Sequence, residues 1–160
     1  MARLSDLKWR YRWFMQRYQY RKVDWRPGAR LQKPLAQAKL AFITTAAFYL
    51  PDQEPFDESL KGGDFTFREI PGDAELASLR IGHRSEAFDH RGIETDKNLA
   101  LPLDRARELV VQGFIGDLNH RHFSFMGSVT APGRLIRETA PEVARRLQED
   151  GVDAVVLTPV

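Results

Sequence analysis

The sequence contains no cysteine. That absence removes disulfides, thiolate metal sites and a cysteine nucleophile from these 160 residues. Long apolar runs are missing as well. Nothing approaches the roughly 18 consecutive apolar residues of a membrane span, and the amino terminus has no charged-then-apolar leader. The cytoplasm is the expected compartment. There is no Walker loop, no Gly-x-Ser-x-Gly elbow and no internal repeat. Gly62-Gly63-Asp64 lacks the strand-then-helix setting of a phosphate-binding loop. The composition that remains, 42% hydrophobic and 29% charged, fits a soluble globular protein. A chain of this length buries roughly two thirds of the surface its unfolded form exposes.

The net charge of +2 conceals an asymmetry. Residues 1–33 hold ten Lys and Arg against Asp6 and Asp24 alone, so the remainder is acidic. Leu4, Leu7, Tyr11, Phe14 and Tyr18 recur every three or four residues, which predicts a basic amphipathic helix over residues 1–20, with Ser5 as its cap. All three Trp (Trp9, Trp13, Trp25) lie before residue 26. Basic helices with interleaved aromatics bind nucleic acid or lie on membranes. No nucleic-acid motif accompanies this one, so docking of the aromatic face on protein is the favoured reading. Pro27-Gly28 and Pro34 mark a linker. The expected organisation is therefore an arm and linker, 1–33, and one α/β domain, 34–160.

Within that domain Lys39–Tyr49 reads as a first strand, rich in β-formers at Phe42, Ile43 and Thr44. Residues 51–75 read as a long surface loop dense in Pro, Gly and Asp. Leu79–His83 reads as a second strand, Pro102–Gln112 as a helix closed by Gly113, and Arg121–Met126 as a third strand. The stripe Leu103, Ala106, Leu109 and Val110 is the expected inner face of the Pro102–Gln112 helix. A helical stripe (Leu135, Ile136, Val143, Leu147) fills Gly133–Asp150, and Pro141 either kinks it or starts a second helix from a Thr139-x-x-Glu142 capping box. The β-branched run Asp153–Val160 reads as a buried parallel strand. Strand, loop, strand, helix, strand, helix, strand predicts a mostly parallel sheet flanked by helices, Rossmann-like or flavodoxin-like, preceded by the basic helix. In such sheets chemistry gathers beyond the carboxyl ends of the strands. Thr44 and Thr45 would then lie beside Thr158, with Ser128 at a third strand end, as candidate pocket residues.

Asp89, His90, Asp96 and Asn98 are candidates for orienting a substrate or partner; the same residue types also make solvated turns. His120 and His122, two apart, would share one face of a strand and with His83 or His90 could make a zinc or iron site, but a metal needs three or four converging ligands and spacing places only two. No metal is expected.

Several blocks in one order resemble selenoprotein B of the glycine, sarcosine, betaine and D-proline reductases. They are Ala87-Phe88-Asp89, Asp96-Lys97-Asn98, Pro102-Leu103-Asp104-Arg105, Gly113-Phe114-Ile115-Gly116, Phe123-Ser124-Phe125-Met126-Gly127, the run Glu138–Leu147, and Asp150–Val160. Thr44-Thr45-Ala46, Leu50-Pro51-Asp52-Gln53, Gly62-Gly63-Asp64 and Phe67–Pro71 extend the resemblance upstream. It implies reductive cleavage of the carbon–nitrogen bond of an amino-acid-like small molecule. It implies a selenocysteine, or sometimes a cysteine, after the strand that matches Asp153–Val160, and a pyruvoyl group on a partner subunit. A low-pKa chalcogenolate is the reacting form in such chemistry. These residues hold neither selenocysteine nor cysteine, so none of them is the expected nucleophile. Selenocysteine is encoded by UGA, and the expectation is a chain read as terminated at that codon, catalytically incomplete as it stands. A short interaction or scaffold subunit, assembling with that partner or with itself, is the alternative; nucleic-acid binding through the arm is the lesser one.

The arm separates these readings cheaply. A nucleic-acid-binding arm would bind DNA or RNA as an isolated peptide of residues 1–33 and lose affinity steeply with salt. The expected outcome, read by fluorescence anisotropy at physiological salt, is no saturable binding by that peptide.

Overall fold

The computed structural model describes residues 8–18, 28–83 and 90–160. The chain divides into two compact units, Met1–Arg30 and Leu31–Val160. In the first, α1 spans Trp9–Arg17 and none of its residues is buried. Neighbours four apart stack along it: Phe14 on Tyr18 with ring centroids 5.6 Å apart, and the Arg17 guanidinium 4.3 Å from the Trp13 ring. Leu4, Ser5, Leu7 and Trp25 lie outside the described residues.

The second unit is built on β1 (Lys39–Thr44). On one side β1 pairs in parallel first with β5 (Asp117–Leu118) and then with β6 (Arg121–Phe125). On the other it pairs in parallel with β7 (Ala154–Thr158), in register from Leu40↔Ala154 to Thr44↔Thr158. β3 (Phe67–Pro71) runs antiparallel to β6 at the far edge. A separate two-stranded ladder joins β2 (Phe48–Tyr49) to β4 (Arg80–Ile81). The helices of this unit are α2 (Arg91–Thr95), α3 (Leu103–Val111) and α4 (Ala140–Glu149).

Strand alternation sorts the core into two halves. Leu40 and Phe42 face Ile70 and the inner stripe of α3, Leu103 and Ala106. Ala41 and Ile43 face Phe123, Phe125 and the inner stripe of α4, Val143 and Leu147. Full burial of side chains such as Phe123 and Val143 contributes about 1.5–3 kcal/mol each. A charged clasp closes the amino ends of the strands. Arg121 on β6 binds both carboxylate oxygens of Asp150 at 2.7 and 2.8 Å. Glu69 on β3 joins Arg121 and Arg146 of α4.

The mostly parallel α/β architecture is as the sequence predicts, and five details differ. The first strand stops at Thr44, because Ala47 takes a left-handed φ of 54° and hands the chain to the small ladder. The loop at 51–75 contains β3, whose Phe67 and Ile70 are seated by pairing with β6. The Thr139–Glu142 capping box does not form. Thr139 has helical dihedrals and gives its hydroxyl to the Phe65 carbonyl at 2.8 Å, and Glu142 pairs with Arg145 and Arg146. One helix runs through, with a π-helical turn at Leu135–Thr139 absorbing Pro141. Finally, β7 is a parallel strand but not a buried one. Among the described residues nothing pairs with its outer edge, and Val155, Val156 and Leu157 are 40%, 37% and 66% exposed. Leu109 and Ile136, placed by spacing on inner helical stripes, are also exposed.

The two histidines also part company: His120 is exposed and His122 is fully buried. The Phe42 amide donates to His122 Nδ1 at 3.1 Å, which fixes the neutral tautomer with its proton on Nε2. Burial, reinforced by the charges of Arg107 and His120, pushes its pKa from 6.5 down to about 4. The unfolded chain therefore takes up a proton near pH 6.5 that the folded one refuses until about pH 4. Stability is complete above pH 6.5 and falls across that window by up to about 3 kcal/mol. Asp150, held at about 2 by Arg121, stabilises fully across that window and loses its contribution only as the pH falls below it. Thermal melts from pH 7 to 4 are expected to show the decline. In His122→Asn, whose Oδ1 can accept the same amide, the decline should shrink to the smaller share of His83, whose pKa burial also lowers, although the protein is less stable throughout; a decline of undiminished size would overturn the assignment to His122.

Candidate functional site at the ends of β1 and β7

Chain order around β1 fixes where a site can form. From β1 the chain crosses to β5 and β6 with α3 on one face of the sheet, then returns past β1 to β7 with α4 on the other. The direction of winding thus reverses at β1, and the crevice opens between the carboxyl ends of β1 and β7, the position where doubly wound sheets bind ligands.

Hydroxyls sew that crevice together. The Thr45 amide donates to the Thr158 carbonyl at 3.2 Å. Thr45 Oγ1 accepts from the Val160 amide at 3.0 Å and donates to the Val160 carbonyl at 3.3 Å. Thr44, fully buried, directs its hydroxyl to the Thr158 carbonyl at 3.3 Å and accepts from the Ala46 amide at 3.2 Å. Thr158 Oγ1 donates to the Ala100 carbonyl at 2.6 Å, tying the turn before α3 to the strand end. Gly127 lies beside Thr45: a Cβ there would sit 3.0 Å from the Thr45 carbonyl and collide with the His83 ring, so glycine is required for this approach. The His83 imidazole is in turn 5.8 Å from that of His90, edge to face. Burial, then the neighbouring His90, lowers the His83 pKa, so its neutral form is favoured.

On the α4 face the crevice opens into a groove of about 830 Å³. Its walls are Ile43, Phe125, Val143, Leu147, Val155 and Leu157, with Thr45, Ser128 and Val160 at one end. Among the described residues Asp153 is the one charged residue in the lining, and no Lys, Arg or His contributes to it. An amino-acid carboxylate would find no cation there, whereas an apolar side chain would find its complement.

The structure therefore brings Thr44, Thr45 and Thr158 together, and Ser128, in a left-handed conformation with φ 60°, stands at the groove's end. Asp96 and Asn98 serve a local purpose. Asp96 accepts the Asn98 amide at 2.9 Å, which lowers its pKa, and Asn98 Oδ1 accepts the Asp104 amide at the start of α3 at 3.1 Å. His90 sits against His83 rather than with them, and Asp89 lies outside the described residues. No group of three or more potential metal ligands converges among the described residues. Sequence spacing had no means of finding His83 at this site, because it meets Gly127 only through the tertiary fold.

The family model for glycine/sarcosine/betaine reductase selenoprotein B matches residues 7–160. The D-proline reductase subunit gamma of Acetoanaerobium sticklandii is 36% identical over 134 residues, 84% of this chain and 52% of that protein. In Peptoclostridium acidaminophilum, the sarcosine reductase complex component B subunit beta is 28% identical over 126 residues, 79% of this chain and 29% of that protein. Its glycine reductase complex component B subunit gamma is 28% identical over 132 residues, 82% of this chain and 30% of that protein. The chain thus spans about half the length of the first relative and under a third of the other two. No solved structure matches it. With a match running from Leu7 through the switch-point threonines to Val160, the chain belongs to the glycine/sarcosine/betaine reductase selenoprotein B family.

Proposed function

We propose that this chain is the strand-end platform of a selenol- or thiol-dependent reductase that cleaves the carbon–nitrogen bond of an amino-acid-like substrate. Family membership supports the class of chemistry, and one observation supports its position at the strand end: the switch-point crevice holds Val160 by both backbone groups through Thr45 Oγ1. A selenolate or thiolate at the residue after Val160 supplies the nucleophile, and a pyruvoyl group on a partner subunit holds the substrate amine.

The residues of this chain position and shield. Thr45 sets the direction in which the backbone leaves β7. Thr44 and Thr158 lock the two strand ends in register and attach the Ala100 turn beneath them. Gly127 lets the neutral His83 ring pack against the backbone beside Thr45. No cation lines the groove among the described residues, which favours recognition of the substrate carboxylate by the partner or by residues outside the groove. The same groove supports a second reading, a non-redox interaction subunit that docks an apolar partner segment.

Intact mass of the protein purified from its host under selenium supply decides between them. A selenium-bearing product heavier than 18.4 kDa, active on glycine, sarcosine, betaine or D-proline within its complex, is the expected result. The 160-residue chain alone should be inactive. In the selenium form, Thr45→Val removes two hydrogen bonds worth roughly 1 kcal/mol each, and turnover should fall about tenfold or more. A selenium-free product of 18.4 kDa would leave only the interaction subunit.

A further inference from the structure

Two surfaces beside the crevice are apolar and uncovered. One is the outer edge of β7, a strand that among the described residues pairs only with β1. The other is the groove between β7 and α4, into which Val155 and Leu157 project. Native sheets seldom leave such an edge bare: they shorten it, charge it, bulge it or cover it. β7 has none of the first three devices. It is five residues long, regular in register with β1, and free of charge from Ala154 to Thr158. Covering is the device left.

The handedness of crossover connections says what covers it. A connection between parallel strands of one sheet is right-handed in about 98% of cases. The crossover from β6 to β7 moves across the sheet in one direction and lays α4 on the Ala41–Ile43 face. A connection leaving the carboxyl end of β7 for a strand on its free edge continues in that direction, so its helix must lie on the same face, alongside α4. That position is the groove. Its apolar walls suit the inner stripe of a helix, and its lack of cations makes it a poor seat for a small anionic molecule. The relatives supply the length argument, since 48% of the D-proline reductase subunit gamma and about 70% of the other two lie outside their matches to this chain.

We infer that the groove is the seat of a helix that leaves the carboxyl end of β7 in a longer form of this chain, and that the strand after that helix pairs in parallel with β7. This rests on the reading of the chain as part of a longer reductase subunit. Leu157, 66% exposed in the 160-residue chain, becomes a core residue when the helix is in place.

The test compares two forms: the 160-residue chain, and the product of its gene continued past the Val160 codon with any in-frame UGA recoded as cysteine. Leu157→Asp is made in both, with Val111→Asp as the control on the distant α3, where the side chain is 89% exposed. Expected in the 160-residue chain is a shift in melting temperature within about 2 °C for either substitution. In the longer form Val111→Asp should remain neutral, while Leu157→Asp should lower the melting temperature by roughly 5–10 °C. Amide exchange across β7 should slow at least about tenfold on going from the short to the long form. Equal effects of Leu157→Asp in the two forms would overturn the inference. So would an open frame that closes immediately at UAA or UAG, or short-chain dimers in ultracentrifugation that Leu157→Asp disrupts, which would assign the groove to a second copy. Redox activity is read separately. A longer form that buries Leu157 yet holds no reactive selenol or thiol keeps the helix in the groove and removes the reductase reading; an active longer form with Leu157 exposed does the reverse.

Discussion

Parallel strands cannot be joined by a hairpin, and the rest of the molecule follows from how this chain meets that constraint. Each parallel neighbour of β1 must be reached by a long crossover of one hand, so the two neighbours on opposite sides require helices on opposite faces. α3 and α4 answer that requirement, and the two halves of the core form under them. The reversal leaves β1 in the middle of the parallel strands and separates the loops at its carboxyl end from those of β7. The crevice is a by-product of topology before any side chain is considered. The threonines then occupy it because hydroxyls can satisfy backbone groups where the ladder runs out.

The two faces of that crevice differ in character. On the α3 face the strand ends are closed by turns: Thr158 bonds to Ala100, and Asp96 and Asn98 organise the start of α3. On the α4 face they are open and greasy. A site so divided suits chemistry performed at the strand ends under a cover that comes from elsewhere. The family's organisation as components of reductase complexes, visible in the names of its members, agrees with a subunit whose surfaces are completed by other polypeptide.

Much of the framework was legible in the sequence. The helix around Leu103–Val111 shows itself by Pro102, Gly113 and the Leu103–Ala106 spacing, and β1, β6 and β7 by their β-branched and aromatic runs. The neighbourhood of Thr44, Thr45 and Thr158 followed from parallel topology. What the sequence hid was set by contacts between distant residues. β3 sits in a stretch whose glycines and prolines speak for a loop, and only its antiparallel partner β6 makes it a strand. Nothing local separates a buried parallel strand from an edge strand of the same composition, so the exposure of Val155 and Leu157 could not be read from their apolar character. Asp96 and Asn98, candidates in the sequence for orienting a substrate or partner, make local capping hydrogen bonds, and short polar side chains serve both purposes.

The π-helical turn at Leu135–Thr139 does more than accommodate a proline. Each residue of a regular α-helix advances about 100°, so two side chains eight positions apart, such as Leu135 and Val143, would stand about 80° out of phase. A turn that absorbs one additional residue removes one such step and brings them within roughly 20° of a common line. Leu135 accordingly packs in the same cluster as Val143 and Leu147. The wide turn acts as a phase corrector, and without it the beginning of the helix would present its leucine to water while its end stayed on the sheet.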